Sequence, residues 1–266
     1  MAGELYQCTA RRLATSDPGT VDSGDNAGEA HKWFQEKGYD YAPVLEGGTP
    51  AGYVGIAEVA EESESKSVKH VMSDIRLQNI ISADAEFDDI LTGLEEEFFY
   101  LLGGTNQVTG ILTRADLNTS PARIHLFDRI SLLERGLREL IDEVAPDWKK
   151  EVYLPEDQNE KIDRLHSEAR DANVDLSKIH YAGFSTLEKV VEHYEQCWRA
   201  CGYGADHKAG SDLTKIKNLR NDVAHSNLIL QTTSAEYNTQ GRSIRDLIKI
   251  YGALTSCNQS LQVRNE

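Results

Sequence analysis

"FYLLGGTNQVTGILTRADL", residues 99–117, runs from one apolar segment through a Gly-Gly-Thr turn into a second, and ends on a helix start. Short apolar runs bounded by turn residues read as paired strands, so this order predicts strand, turn, strand, helix. "YAPVLEGGTPAGYVGIAEVA", residues 41–60, follows the same scheme. Laying one on the other puts Gly52 on Gly110 and Glu58 on Asp116, an offset of 58 residues at both positions. A helical segment precedes each, "GEAHKWFQEKG" closed by Gly38, and "DDILTGLEEEF". An internal repeat of this kind predicts two copies of one supersecondary unit packed together, at about residues 10–65 and 66–119.

From Ser120 onward the period changes. Ser120 and Pro121 form a helix-start signal. Leu126, Ile130, Leu133, Leu137, Leu140 and Val144 then recur at threes and fours until Pro146. "STLEKVVEHYEQCWRACG" predicts one helix, with Ser185 and Glu188 as a capping box and Gly202 as its stop. Its buried stripe is Leu187, Val190, Val191, Tyr194, Trp198 and Cys201. "SDLTKIKNLRNDVAHSNLIL" and "RSIRDLIKIYGALTSCNQSL" predict two more helices, joined by the polar loop "QTTSAEYNTQG". The expected class is α+β, with an α/β repeat pair over 1–119 and an all-α bundle of four or five helices over 120–266.

Composition narrows the function. Lys and Arg number 28 against 44 Asp and Glu, a net charge of −16, which repels nucleic-acid backbones over most of the surface. Contact with RNA must therefore rest on a local basic site, and no binding to DNA is expected. No N-terminal apolar run reads as a signal peptide, and nothing approaches the roughly 18 apolar residues of a membrane span. A soluble, cytoplasmic protein without a membrane partner is expected. The four cysteines lack CxxC spacing, Cys197 and Cys201 sit four apart in a helical pattern, and no metal site is expected.

The stretch Gly110–Ile111–Leu112–Thr113–Arg114–Ala115–Asp116 resembles the signature of CBS domains, and the two repeats together resemble a CBS pair, or Bateman module, over roughly residues 10–118. That resemblance implies an adenine nucleotide, AMP- or ATP-like, as a regulatory ligand. Strand-end backbone amides near Gly110 and the Thr113 hydroxyl would meet phosphate, and Asp116 would accept from a ribose diol. Arg114 and Ser82 are carried with this site. The first copy departs from the pattern, with Gly55 where Thr is expected and Glu58 where Asp is expected. The competing view is that Thr-x-x-Asp is a plain capping arrangement and the pair a scaffold.

"KNLRNDVAH", residues 217–225, contains Arg220, four intervening residues and His225. On a helical wheel Leu213, Ile216, Leu219 and Val223 form the buried face, and Arg220 and His225 lie about 140° apart. Residues 120–262 resemble a HEPN domain, whose ribonuclease members carry this Arg-x4–6-His motif with a polar residue after the Arg, here Asn221. The resemblance implies a homodimer, or a higher even oligomer, with a composite site and metal-independent RNA cleavage. His225 would serve as general acid or base, Arg220 would stabilise the transition-state charge, and Asn221 would orient the imidazole or hold a phosphate. Products would carry 2′,3′-cyclic phosphates. Lys217, Lys215 and Lys208 would supply the local positive field. A modifiable Tyr found in some family toxins is replaced by Asn227.

These features together predict a nucleotide-regulated endoribonuclease of defence or stress response, needing no catalytic cofactor. The alternatives are a non-catalytic regulatory or adaptor protein that binds an adenine nucleotide, and a toxin held by a separate antitoxin. In the non-catalytic reading, Arg220 would be an ion-pair partner of Asp222 or a neighbouring helix, and His225 would cap or pack.

Overall fold

A computed structural model describes residues 6–60, 66–97, 99–104, 107–174, 176–204, 209–231 and 241–264. The chain divides into two compact units, one of residues Gln7–Ala122 and one of Tyr6 with the residues from Arg123 on.

The first unit contains, in order, α1 (Ala10–Leu13), β1 (Thr15–Ser16), β2 (Val21–Asp22), α2 (Ala27–Lys37), β3 (Tyr41–Glu46), β4 (Thr49–Gly55), α3 (Ile56–Ala60), β5 (Ser73–Asp74), β6 (Ile80–Ile81), α4 (Phe87–Glu96), β7 (Phe99–Gly104) and β8 (Gln107–Thr113), closed by a 3₁₀ turn at Arg114–Asn118. The 58-residue offset holds for three pairs of strands: β1, β3 and β4 begin at 15, 41 and 49, and β5, β7 and β8 at 73, 99 and 107. Even the irregularities repeat, since the β3–β4 hairpin shifts register after Val44 and the β7–β8 hairpin after Leu102.

The repeats are not two consecutive blocks, however. One sheet runs β1-β8-β7-β6 and the other β2-β3-β4-β5, so β1 completes the sheet of the second repeat and β5 that of the first. The exchange covers the outer edges of β8 and β4, which would otherwise present unpaired backbone groups. Gly52 is required by it, because a Cβ there would lie 2.5 Å from the Ser73 carbonyl oxygen on β5. At the β3–β4 turn Gly47 and Gly48 have φ of 59° and 82°, the pair of positive values that a two-residue hairpin demands.

Helix α2 shows how the local signals work. Asn26 accepts from the Gly28 and Glu29 amides at 2.9 and 3.2 Å, and Gly38 ends the helix at φ 67°. Its Ala27, Ala30 and Phe34 are buried against Val44, Val54 and Val59. In the second repeat Phe87, Ile90, Leu91 and Leu94 of α4 are buried in the same way.

The second unit comprises α5 (Ser120–Val144, which begins in the last residues of the first unit), α6 (Trp148–Glu151), α7 (Glu156–Asp171), α8 (Phe184–His193), α9 (Glu195–Ala200), α10 (Ala209–Ala224) and α11 (Ile244–Arg264). Five of these have ten residues or more, and α7 carried no sequence signal because Ile162 is its one buried residue. The α5 stripe of Leu126, Ile130, Leu133, Leu137 and Leu140 is buried as expected.

Three expectations are corrected here. The single helix over 185–202 is two, separated at Tyr194, whose backbone is extended. Its capping box is absent: the N-cap is Gly183, and the Glu188 carboxylate instead accepts from Lys217 Nζ at 2.6 Å and from the Thr214 hydroxyl. A cation on the neighbouring helix is a stronger partner than the helix's own N–H. The helix expected over 211–230 ends at Ala224, one residue before His225. Residues 232–240 of the polar loop lie outside the described residues.

Candidate functional site

The signature residues of the second repeat lie at the end of β8. The Thr113 N–H and hydroxyl donate to Asp116 Oδ2 at 2.7 and 2.9 Å. This is a capping arrangement across the 3₁₀ turn. Burial pushes the Asp116 carboxyl above its ordinary value, while the Thr113 and Thr15 donors oppose the shift. A carboxylate offers about four lone-pair sites, and both Thr113 bonds fall on Oδ2, so capacity for a further donor remains.

The other residues carried with the site divide. Gly110 is buried in β8 opposite Ser16 and lines a cleft of about 260 Å³ with Ser16, Ala83, Gly103 and Arg11. Arg114 turns away: its Nε and Nη2 donate to the Leu94 and Glu95 carbonyls at 2.7 and 3.1 Å, satisfying the C-terminus of α4. Ser82 is exposed and its hydroxyl oxygen accepts from the Asp84 amide at 3.3 Å. Arg11 carried no motif, and the chain exchange that places β1 beside β8 is what brings it to the cleft. It pairs with Asp84 at 3.7 Å with both side chains exposed, a weak tie.

In the first repeat the equivalent cluster is replaced by a matched pair. A Cβ on Gly55 would collide with the Glu58 carboxylate and lie 2.9 Å from the Tyr41 ring. The longer acid has folded into the space that the Thr side chain takes in the second copy.

In the helical unit, α10 presents Leu213, Ile216, Leu219 and Val223 to the core, as the wheel predicts. Arg220 reaches α5, where its Nε is 3.3 Å from Glu134 Oε1, and its Nη1 lies 3.5 Å from Asn221 Oδ1. Glu134 also accepts from Arg138 Nη2 at 3.0 Å, so one carboxylate bridges two guanidiniums. Lys217 pairs with Glu188, and Lys215 with Asp212 at 3.3 Å. Lys208 lies outside the described residues. Arg220, Asn221 and Lys217 share a cleft of about 460 Å³ formed by α5, α7, α8 and α10.

His225 does not line that cleft. It is exposed and occupies the position after α10, where the backbone closes a Schellman motif: Asn227 N–H donates to the Asp222 carbonyl at 2.9 Å and Ser226, at φ 58°, to that of Val223. Arg123 adds a cation to the same helix end, donating to the Asn227 carbonyl at 2.6 Å. Arg242 fixes Asp222 at 2.7 Å. The histidine backbone is therefore firmly held.

No group of three or more His, Cys, Asp or Glu among the described residues is arranged to hold a metal ion. Among the same residues no helix is long and apolar enough to cross a membrane.

No protein-family model matches the chain. No curated protein matches it either. Over the N-terminal ~41% it is similar to solved structures of CBS-domain proteins. The CBS domains of a transcriptional regulator from Streptococcus pneumoniae are 16% identical, with 41% of this chain and 95% of that one covered and a TM-score of 0.37. A CBS-domain protein of unknown function from Bacillus anthracis is 20% identical, covering 42% and 91%, at 0.37. CBSX2 in complex with AMP is 18% identical, covering 41% and 92%, at 0.36.

Proposed function

We propose that the protein is a regulatory protein whose first unit binds an adenine nucleotide and whose helical unit carries the response. The observation that supports this most is the joining of β1 to β8. It sets Thr15, Thr113 and the buried Asp116 carboxylate beside strand residues Ser16 and Gly110, which line a cleft that also holds Arg11. A ribose hydroxyl fits the remaining acceptor capacity of Asp116, and Arg11 exchanges its weak tie to Asp84 for a phosphate. The adenine class follows from the resemblance of residues 110–116 to the CBS signature. Gly55 and Glu58 fill the equivalent place in the first repeat, so one nucleotide per chain is expected.

Calorimetric titration of the full chain with AMP, ADP and ATP tests the reading. Asp116→Ala should weaken the tightest of them by about 1–3 kcal/mol, the range for losing a buried hydrogen bond to a charged group. Wild-type protein that takes up none of the three nucleotides refutes it.

A second reading is favoured by one observation: Arg220, Asn221 and Lys217 line a single cleft. In this reading the helical unit is a metal-independent endoribonuclease, with Arg220 stabilising phosphorane charge and His225, supplied by a second copy of the chain, moving the proton. Cleavage of a fluorescent RNA should survive EDTA and be lost in both Arg220→Ala and His225→Ala. Equal cleavage by wild type and both variants would rule this assignment out.

A further inference from the structure

The 460 Å³ cleft of the helical unit has a charge opposite to that of the whole chain. Four cations line it, from three helices: Arg138 on α5, Lys161 on α7, and Lys217 and Arg220 on α10. One lining carboxylate, Glu134, faces them, and it serves both arginines at once. Lys217 is additionally neutralised from behind by Glu188. The balance of the lining charge is positive in a protein of net charge −16, which makes the cleft a place where an anion is attracted despite the surface as a whole.

Unmet hydrogen-bonding groups lie in the same wall. Arg138 Nε is buried and has no acceptor among the described residues, and buried Gln158 Oε1 has no donor among them. A guanidinium N–H left without an acceptor in a buried setting is unfavourable by itself and is satisfied by a ligand oxygen. The N-terminus of α8 opens on the cleft through Phe184 and Ser185. Its N-cap is Gly183, which has no side chain to meet the first amides of the helix, and the positive end of the helix dipole adds to the field.

We infer that this cleft binds a phosphate group, taking it on the Arg138 and Arg220 guanidiniums with Lys161 as the outer counter-charge. The site belongs to one chain and is separate from the nucleotide cleft of the first unit. It includes Arg138 and Lys161, which lie outside the Arg220–His225 pair. In the absence of the ligand, Glu134 is the stand-in: its two oxygens hold the two arginines as a phosphate would. Phosphate binding therefore displaces a carboxylate from the guanidiniums. Glu134→Gln, which removes the competing charge while keeping the side-chain shape, should tighten binding severalfold.

Two sources carry the same chemistry, a free phosphorylated compound and the backbone of an RNA strand. Inorganic pyrophosphate titrated into the full chain at low ionic strength is the first probe, and a short single-stranded oligoribonucleotide the second. Binding of pyrophosphate should weaken at least tenfold in Arg138→Gln and in the exposed-site variant Lys161→Ala, and should persist in Asp116→Ala. Loss in Asp116→Ala with no change in the other two would place the anion in the first unit and overturn the inference. No pyrophosphate binding to wild type, or unchanged affinity in Lys161→Ala of undiminished melting temperature, overturns it equally. Displacement of pyrophosphate by the oligoribonucleotide assigns the phosphate to RNA, and failure of displacement assigns it to a free compound.

Discussion

His125 is buried on α5 with both ring nitrogens engaged, Nδ1 at 3.0 Å from the Tyr6 carbonyl and Nε2 at 2.8 Å from the Tyr251 hydroxyl. A carbonyl only accepts, so the proton sits on Nδ1 and Nε2 accepts from tyrosine. Burial is the main cause that lowers its pKa below the ordinary value near 6.5, ahead of the Arg129 charge, and the Tyr6 bond and Asp128 only partly oppose it. The folded state therefore holds the ring neutral. As pH falls below about 6.5 the unfolded chain takes up a proton that the folded chain refuses, and stability drops until the lowered folded pKa is passed. Urea unfolding at pH 7.5 and 5.5 should show a larger loss on acidification in wild type than in His125→Gln. Identical losses would refute the role. The same scale explains why the two repeats differ chemically. Thr113 with Asp116 and Gly55 with Glu58 are each self-consistent, and the departure from the motif was visible in the sequence while the fit of the longer acid into the missing side chain's space was not.

At the scale of elements, the end of α10 decides how the Arg-x4-His spacing is presented. The periodicity of Leu213, Ile216, Leu219 and Val223 was legible, since a 3.6-residue period is set by backbone geometry alone. The stop at Ala224 was not, because the αL position is filled by Ser226 and not by the glycine that normally marks it. Holding serine at φ 58° strains the backbone, and glycine would relieve that strain while giving the unfolded chain more conformational entropy to lose on folding. Ser226→Gly should stabilise the protein by roughly 0.5–1 kcal/mol in chemical denaturation, a net of these two effects. Destabilisation would show that the serine side chain contributes more than its backbone strain takes away. The split of 185–202 into α8 and α9 has the same origin. The buried stripe was visible, and the break at Tyr194 was hidden among residues with ordinary helix propensity.

For the whole molecule, the −16 charge is the dominant long-range quantity. Self-repulsion of like charges disfavours the compact state and is screened by salt, whose Debye length falls from about 30 Å at 0.01 M to about 3 Å at 1 M. The melting temperature should rise between those concentrations of NaCl. A fall would mean that attractive pairs such as Arg242–Asp222 and Arg220–Glu134 outweigh the overall repulsion. The cationic cleft also belongs to this scale. Its charges lie at positions 138, 161, 217 and 220, on three helices, one of which the sequence pattern did not reveal. Of the basic group expected from sequence, Lys217 lines this cleft and pairs with Glu188, while Lys215 is met by Asp212 outside it.

The amino-acid order by itself determined the 58-residue repeat, the two hairpins with the Gly47–Gly48 turn of the first, the change to helices at Ser120 and the buried stripes of α5 and α10, whereas Gly103 and Gly104, expected in the second turn, belong to β7. All of these depend on local backbone preference and on apolar spacing within one element. Tertiary structure alone decided the exchange of β1 and β5 between sheets and the turning of Arg114 to the end of α4. It also decided the shared carboxylate at Glu134 and the separation of His225 from the cleft that holds Arg220. The strand exchange, the Arg114 contact and the Glu134 bridge are pairings of groups distant in sequence, set by which charged or hydrogen-bonding partner a neighbouring element brings within reach.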